Sequence, residues 1–141
     1  MRMRIDLFCS AFLVLCAWSV AQKPAGVAVH APRTAATSGK EMYLAYCATC
    51  HGKEGKGDGP VASALKVPPS DLTTLSKRNS GKFPSLEVAN SISGGTGTPA
   101  HGSKEMPVWG PVFLNMEHQH DSQVRLRVAN LTEYIKSLQQ K

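Results

Sequence analysis

The five consecutive residues Cys47-Ala48-Thr49-Cys50-His51 constrain this chain more than any other feature of it. Two cysteines separated by two residues and followed directly by histidine form the pattern of covalent haem attachment. Each thiol can add to one vinyl group of a haem, and the adjacent histidine can ligate the iron. The motif therefore predicts one haem c, held by Cys47 and Cys50, with His51 as an axial ligand.

Paired cysteines have two other common uses. A structural zinc site needs further ligands at matching spacing, and His118 and His120 are the available histidines, but the sequence has no second pair of cysteines spaced in this way. A thioredoxin-like redox motif would lie in a βαβ unit, and no such unit is visible in the sequence. The interpretation as haem attachment is favoured over both.

The first 21 residues have the pattern of an export signal. Arg2 and Arg4 precede an apolar run of 15 residues, Leu7 to Ala21, which ends in the small-residue pattern Ser19-Val20-Ala21. The run is shorter than the roughly 20 residues of a membrane-spanning helix. We expect a cleaved signal peptide and a periplasmic or otherwise extracytoplasmic protein, with an uncleaved membrane anchor as the alternative.

Removal of this segment changes both the cysteine content and the charge. Cys9 and Cys16 are lost, so Cys47 and Cys50 are the only cysteines left, and the net charge falls from +6 to +5. Basic residues cluster through the middle of the chain, at Lys53, Lys56, Lys66, Lys77, Arg78, Lys82 and Lys104. Some of them are expected to surround the haem edge and steer acidic redox partners, although scattered surface lysines would look similar. Nucleic acid is not expected, because aromatic residues do not alternate with the basic ones.

The remaining sequence predicts an all-α domain over residues 38–141, preceded by a flexible leader over 22–37. Helices are expected at about 39–50, capped by Ser38, at 61–66, and from Ser85 to the glycines at 94–95, with a further turn at 71–77. A loop over about 94–120 should follow. The last helix begins at Asp121 or Ser122, and its apolar residues form one stripe: Val124, Val128, Leu131, Ile135 and Leu138.

Residues 38–140 resemble the class I c-type cytochromes, the family of small monohaem bacterial cytochromes c. Gly39 and Tyr43 in the first helix, with Leu131, Tyr134 and Ile135 in the last, are similar to the family's packing of its terminal helices. The resemblance implies a cytochrome c fold, with about three to five helices wrapped around one covalently bound haem and the terminal helices packed together.

The resemblance also implies the surroundings of the iron. Pro60 is similar to the proline whose carbonyl accepts the hydrogen on the second ring nitrogen of the haem-ligating histidine. Met106, followed by Pro107, is similar to the distal axial ligand. His101 is the rival ligand, and it would lower the reduction potential where a thioether raises it. Met42 is too near Cys47 to reach the other haem face, and Met116 lacks the following proline.

Several further residues have two interpretations. Trp109 is expected either to contact the haem, at its edge or through a propionate, or to fill the core. Val61, Leu65, Leu72 and Phe113 are candidates for the apolar shell of the haem and equally for ordinary core. A metal site at His118, His120 and Asp121 is less favoured than a solvated loop.

These features together predict outer-sphere transfer of single electrons between redox proteins. No side chain is required as acid, base or nucleophile, so the chain is not expected to be an enzyme by itself. One alternative is an electron-entry subunit of a membrane oxidase or dehydrogenase complex. Another is a haem-based catalyst or sensor with an open or labile sixth site.

Overall fold

The computed structural model of the chain describes residues 31–94 and 106–140. The predicted signal peptide, residues 22–30 of the predicted leader, His101 and Lys104 lie outside the described residues. Six α-helices are present in the described part: α1 (Gly39–Tyr46), α2 (Ala48–His51), α3 (Leu75–Arg78), α4 (Ser85–Ser93), α5 (Trp109–Met116) and α6 (Asp121–Ser137). This part contains no strand, so the predicted all-α class is confirmed. It also contains no helix with the length and apolar character needed to cross a membrane.

The predicted first helix is divided in two at Cys47. Ser38 caps α1 as expected, because its side-chain oxygen accepts a hydrogen bond from the backbone N–H of Glu41. Cys47 closes α1 with φ −111°, and α2 then continues from Ala48 for one turn. The break gives the second half of the haem motif its own short helix, with His51 as its last residue.

The segments between the motif and α4 are shorter and tighter than predicted. A 3₁₀ turn over Ala62–Ala64 replaces the helix expected at 61–66. A 3₁₀ turn over Leu72–Thr74 is followed directly by α3. Asp71 caps the second turn by accepting hydrogen bonds from the backbone N–H and the hydroxyl of Thr73.

The prediction of a continuous loop from 94 to about 120 is wrong over residues 109–116, which form α5. Trp109, Val112, Phe113 and Met116 follow helical spacing, and they pack on or within the core. Pro111 suggested a loop, but it is the third residue of α5. Proline is tolerated there, because backbone N–H groups in the first turn have no partner within the helix.

The terminal helices α1 and α6 cross at close range. A Cβ atom on Gly39 would overlap the backbone carbonyl of Asn130, so only glycine allows this approach. The rings of Tyr43 and Tyr134 fill the crossing with their centroids 5.2 Å apart. The predicted packing of the terminal helices is confirmed. The predicted stripe of α6 is confirmed too: Val128, Leu131 and Ile135 are buried, and Val124 and Leu138 pack at the edges of the core.

Candidate functional site

His51 is the centre of the site and is held by the backbone. Its side chain is only 7 % exposed, and its Nδ1 lies 3.0 Å from the carbonyl oxygen of Ser70. A carbonyl can only accept, so Nδ1 donates, and in the neutral ring the lone pair is then on Nε2. No described residue forms a hydrogen bond with Nε2. The imidazole therefore has the tautomer and orientation of a metal ligand.

The acceptor is Ser70, and the prediction that Pro60 accepts this hydrogen bond is wrong. Pro60 is exposed and lines a different depression, beside Leu44 and Thr49. The chain at Pro69 and Ser70 reaches His51 because Gly57 lets it pass. Gly57 has φ +80°, and a Cβ atom there would overlap the carbonyl oxygen of Pro69.

Burial also sets the protonation of His51. Loss of solvent lowers the pKa of this imidazole below its ordinary value of 6.5, and the hydrogen bond to Ser70 offsets part of that effect. The ring is therefore neutral near pH 7. A neutral imidazole is the form that ligates iron.

Two cavities border His51. The larger, of about 240 Å³, has an apolar lining of Leu72, Leu75, Val88, Ile92 and Ile135. The smaller, of about 100 Å³, includes Cys50, Leu65, Val67 and Pro68 in its lining. Four residues line both: Cys47, His51, Ser70 and Met106. The motif and Met106 therefore meet at one place, although Met106 follows His51 by 55 residues.

The rim of the larger cavity is polar. Arg78, Asn79, Glu87 and Ser91 line it together with the apolar residues. The guanidinium of Arg78 is fixed there by a hydrogen bond of 2.7 Å from Nη2 to the carbonyl oxygen of Asp71. An apolar cavity with a cation at its edge suits a flat apolar group that carries carboxylates, which is the character of a haem.

The two cysteines are free thiols in this structure. Burial raises the pKa of the Cys47 thiol to about 12, and the neighbouring Cys50 adds to this effect. Redox-active Cys-X-X-Cys motifs instead depend on a lowered thiol pKa. The environment of Cys47 therefore disfavours a thioredoxin-like use of the pair.

The other predicted site residues are placed as follows. Leu72 and Leu65 line the larger and the smaller cavity respectively. Val61 is exposed, and Phe113 and Trp109 are buried in an aromatic stack with Tyr46. Val61, Phe113 and Trp109 line neither cavity. Trp109 therefore fills the core, and a contact between Trp109 and a haem stays a prediction.

Among the described residues, the other methionines and histidines considered as ligands lie away from the two cavities. Met42 is a fully buried residue of α1, and Met116 is the last residue of α5. Neither methionine lines either cavity. Within residues 31–94 and 106–140, no three His, Cys, Asp or Glu side chains are grouped so that they could hold a metal ion together. His118 and His120 are exposed in the turn before α6.

Sequence reasoning missed Ser70 and Tyr46. Ser70 acts through its backbone carbonyl, which no side-chain pattern reveals; the preceding Pro68-Pro69 was the only signal of a fixed backbone there. Tyr46 is the last residue of α1, directly before the break at Cys47, and lines the smaller cavity.

Fold and site together define a small helical protein of the c-type cytochrome class. The family model for cytochrome c matches residues 36–139, and the chain belongs to the cytochrome c family. No curated protein and no solved structure matches the chain.

Proposed function

We propose that this protein is an exported electron carrier, which holds one haem c on Cys47 and Cys50 and passes single electrons between redox proteins. The observation that carries the proposal is the convergence of Cys47, His51 and Met106 on the same two cavities. Membership of the cytochrome c family supports haem-based electron transfer in general.

Each residue of the site has a distinct part in this proposal. Cys47 and Cys50 would tether the haem through thioether bonds. His51 would ligate the iron through Nε2, oriented by Ser70. Met106 would ligate it through its sulfur. When bound, the haem supplies a one-electron couple, and a thioether ligand raises its reduction potential relative to a second imidazole.

The walls of the cavities contribute in two ways. The apolar side chains of the larger cavity exclude water, which favours the less charged, reduced state of the iron. Arg78 and Asn79 line the rim of this cavity and would receive the haem carboxylates. No side chain needs to give or take a proton, so the protein acts as a carrier.

Export and partner choice follow from the sequence and the surface. We propose that residues 1–21 are a cleaved signal peptide and that the protein works in the periplasm. Exposed basic side chains would attract acidic partner surfaces, and one of them, Arg78, lines the larger cavity: Lys53, Lys66, Lys77, Arg78 and Lys82. The partner is either a free redox protein or a membrane oxidase or dehydrogenase complex, for which this chain would be the electron-entry subunit.

The test is the optical spectrum of the protein expressed with haem-attachment machinery. A pyridine haemochrome assay should report one haem bound through two thioethers. The ferric protein should show a weak sulfur-to-iron charge-transfer band at the red end of the visible range. Met106→Ala should abolish this band, whereas Met116→Ala and His101→Ala should retain it.

Two results would contradict the proposal. Survival of the band in Met106→Ala would exclude Met106 as the ligand. Rapid binding of carbon monoxide to the reduced wild-type protein would indicate an open or labile sixth site, and hence a catalyst or sensor.

A further inference from the structure

Residues 31–37, here called the strap, lie against the helical domain. They belong to the predicted flexible leader, yet their backbone carbonyls are bound at both ends. The hydroxyl of Tyr46 donates to the Pro32 carbonyl at 2.6 Å, and the side-chain amide of Asn130 donates to the Ala36 carbonyl at 2.9 Å. The strap therefore connects α1 and α6 from outside.

Thr34 is the central residue of the strap. Its Oγ1 lies 2.7 Å from the hydroxyl oxygen of Tyr46 and 3.0 Å from Nη1 of Arg127. The single hydrogen of the Tyr46 hydroxyl is donated to Pro32, so Thr34 must donate to Tyr46 and accept from Arg127. The result is a chain of hydrogen bonds with one direction, from Arg127 through Thr34 and Tyr46 to Pro32.

This chain contacts both ends of α5. At one end, the ring of Tyr46 stacks on Trp109, the first residue of α5, with centroids 4.9 Å apart. At the other end, Arg127 forms an ion pair with Glu117, the C-cap residue of α5, and its guanidinium lies over the ring of Phe113. Arg127 is only 4 % exposed, so its bonds to Thr34 and Glu117 are shielded from water.

The position of α5 in turn sets the position of Met106. Trp109 follows Met106 by three residues, and the chain between them is Pro107-Val108. Tyr46 lines the smaller cavity together with Met106 and Pro107. A shift of Tyr46 or of α5 would therefore move Met106 relative to His51.

We infer that the strap is a positioning element for the distal side of the iron, and that Thr34, Tyr46 and Arg127 are positioning residues for Met106. The inference rests on the proposed function. The strap fixes both ends of α5, and α5 keeps the Met106 sulfur in the cavity. When the strap is weakened, Met106 spends more time away from the iron, and an added ligand binds there more tightly.

The test compares two substitutions that remove the same group. Thr34→Val removes the hydroxyl at the centre of the strap and nearly preserves side-chain volume. Thr132→Val is the control: Thr132 is buried where Thr34 is half-buried, and its hydroxyl donates within α6 to the Val128 carbonyl at 2.8 Å. Each ferric, haem-loaded variant is titrated with imidazole, and amide hydrogen exchange is measured across residues 106–116.

Thr34→Val should bind imidazole about tenfold more tightly than the wild type, the factor expected if the two lost hydrogen bonds of Oγ1 together contribute about 1.4 kcal/mol. It should also show faster exchange in α5. Thr132→Val should stay within about twofold of the wild type in imidazole affinity, because its lost bond is within one turn of α6. Equal behaviour of the two variants in both measurements would overturn the inference and leave the proposed function intact.

Two further variants keep the inference testable if Thr34→Val does not fold. Thr34→Ser keeps the hydroxyl and should behave like the wild type, whereas Tyr46→Phe removes the next bond and should change imidazole affinity in the same direction as Thr34→Val. Wild-type behaviour of Tyr46→Phe in both measurements would overturn the inference. If Met106→Ala shows that Met106 is not the ligand, faster exchange in α5 still supports the positioning of α5, and unchanged exchange overturns it.

Discussion

The two sides of the His51 site are built in different ways. On the proposed proximal side, Cys47, Cys50 and His51 lie within five residues at α2, and the His51 ring alone has a distant partner, the Ser70 carbonyl. On the proposed distal side, Met106 lies 55 residues later in the chain, and we infer that its position depends on α5, Tyr46 and the strap. We expect the side formed by five neighbouring residues to persist when contacts elsewhere in the fold are lost. The side formed by distant segments should open first, because its local unfolding costs less free energy.

The largest effect is expected from the proximal side. Cys50→Ala removes one of the two proposed tethers and should abolish haem attachment through two thioethers, because Cys47 is the only other cysteine among the described residues. Mass spectrometry and haem staining of denatured protein measure this directly. Met106→Ala is the comparison and should retain the covalent haem. Loss of covalent haem in both variants would contradict the division between the two sides.

A second substitution tests the tertiary support of the proximal side. Gly57→Ala places a side chain at φ +80° and against the Pro69 carbonyl, so it should lower the free energy of unfolding by about 3 kcal/mol. Gly81 has φ +83°, and no atom lies within 4 Å of the place that a methyl group on it would occupy. Gly81→Ala should therefore cost only about 1 kcal/mol. Denaturant unfolding of the haem-loaded proteins compares them, and equal costs would show that the Pro69 contact is unimportant.

The corresponding position on the distal side is Gly110. A methyl group there would overlap the Ser93 carbonyl at the end of α4, while alanine favours the helix by about 1 kcal/mol. Gly110→Ala should thus lower stability by only about 2 kcal/mol, and it should weaken the sulfur-to-iron band. Gly57→Ala should leave that band in place. Optical spectra of the two variants decide this, and the reverse pattern would contradict the comparison.

The smallest effect is expected from Asp71, next to Ser70. Hydrogen bonds from Thr73 hold the pKa of this carboxyl below its ordinary value of 3.8. Because the folded state binds the proton more weakly than the unfolded state, the stabilisation is present above pH 3.8 and is lost as the pH falls through the lower folded value. Asp71→Asn should remove this acid dependence and cost less than about 1 kcal/mol near pH 7, since the carboxyl is partly solvated. The free energy of unfolding of both proteins, measured between about pH 5 and pH 2, tests this prediction. The same fall in stability with acid in Asp71→Asn as in the wild type would assign the pH dependence to other groups.

Much of the fold was predictable where one element carries its own signal. The spacing of Val124, Val128, Leu131 and Ile135 predicted α6, and Ser38 predicted the start of α1. The helix α5 was missed because Pro111 and the neighbouring glycine suggest a loop, and only packing against α4 and α6 makes this segment helical. The leader was predicted to be flexible, yet residues 31–37 are bound to the helical domain. Their position was not predictable because the bonds that hold them come from Tyr46, Arg127 and Asn130 on other elements.

The residues of the sequence predicted the chemistry, since Cys47, Cys50 and His51 carry the haem-attachment pattern within five positions. It also indicated Met106 through the resemblance to class I cytochromes. Tertiary contacts were needed to show that Ser70 and not Pro60 accepts the hydrogen bond from His51, and that Met106 lines the same cavities as His51. The physical reason is that a backbone carbonyl is identical in every residue. Its use as an acceptor depends on which segment passes nearby, and here the close approach at Gly57 decides that.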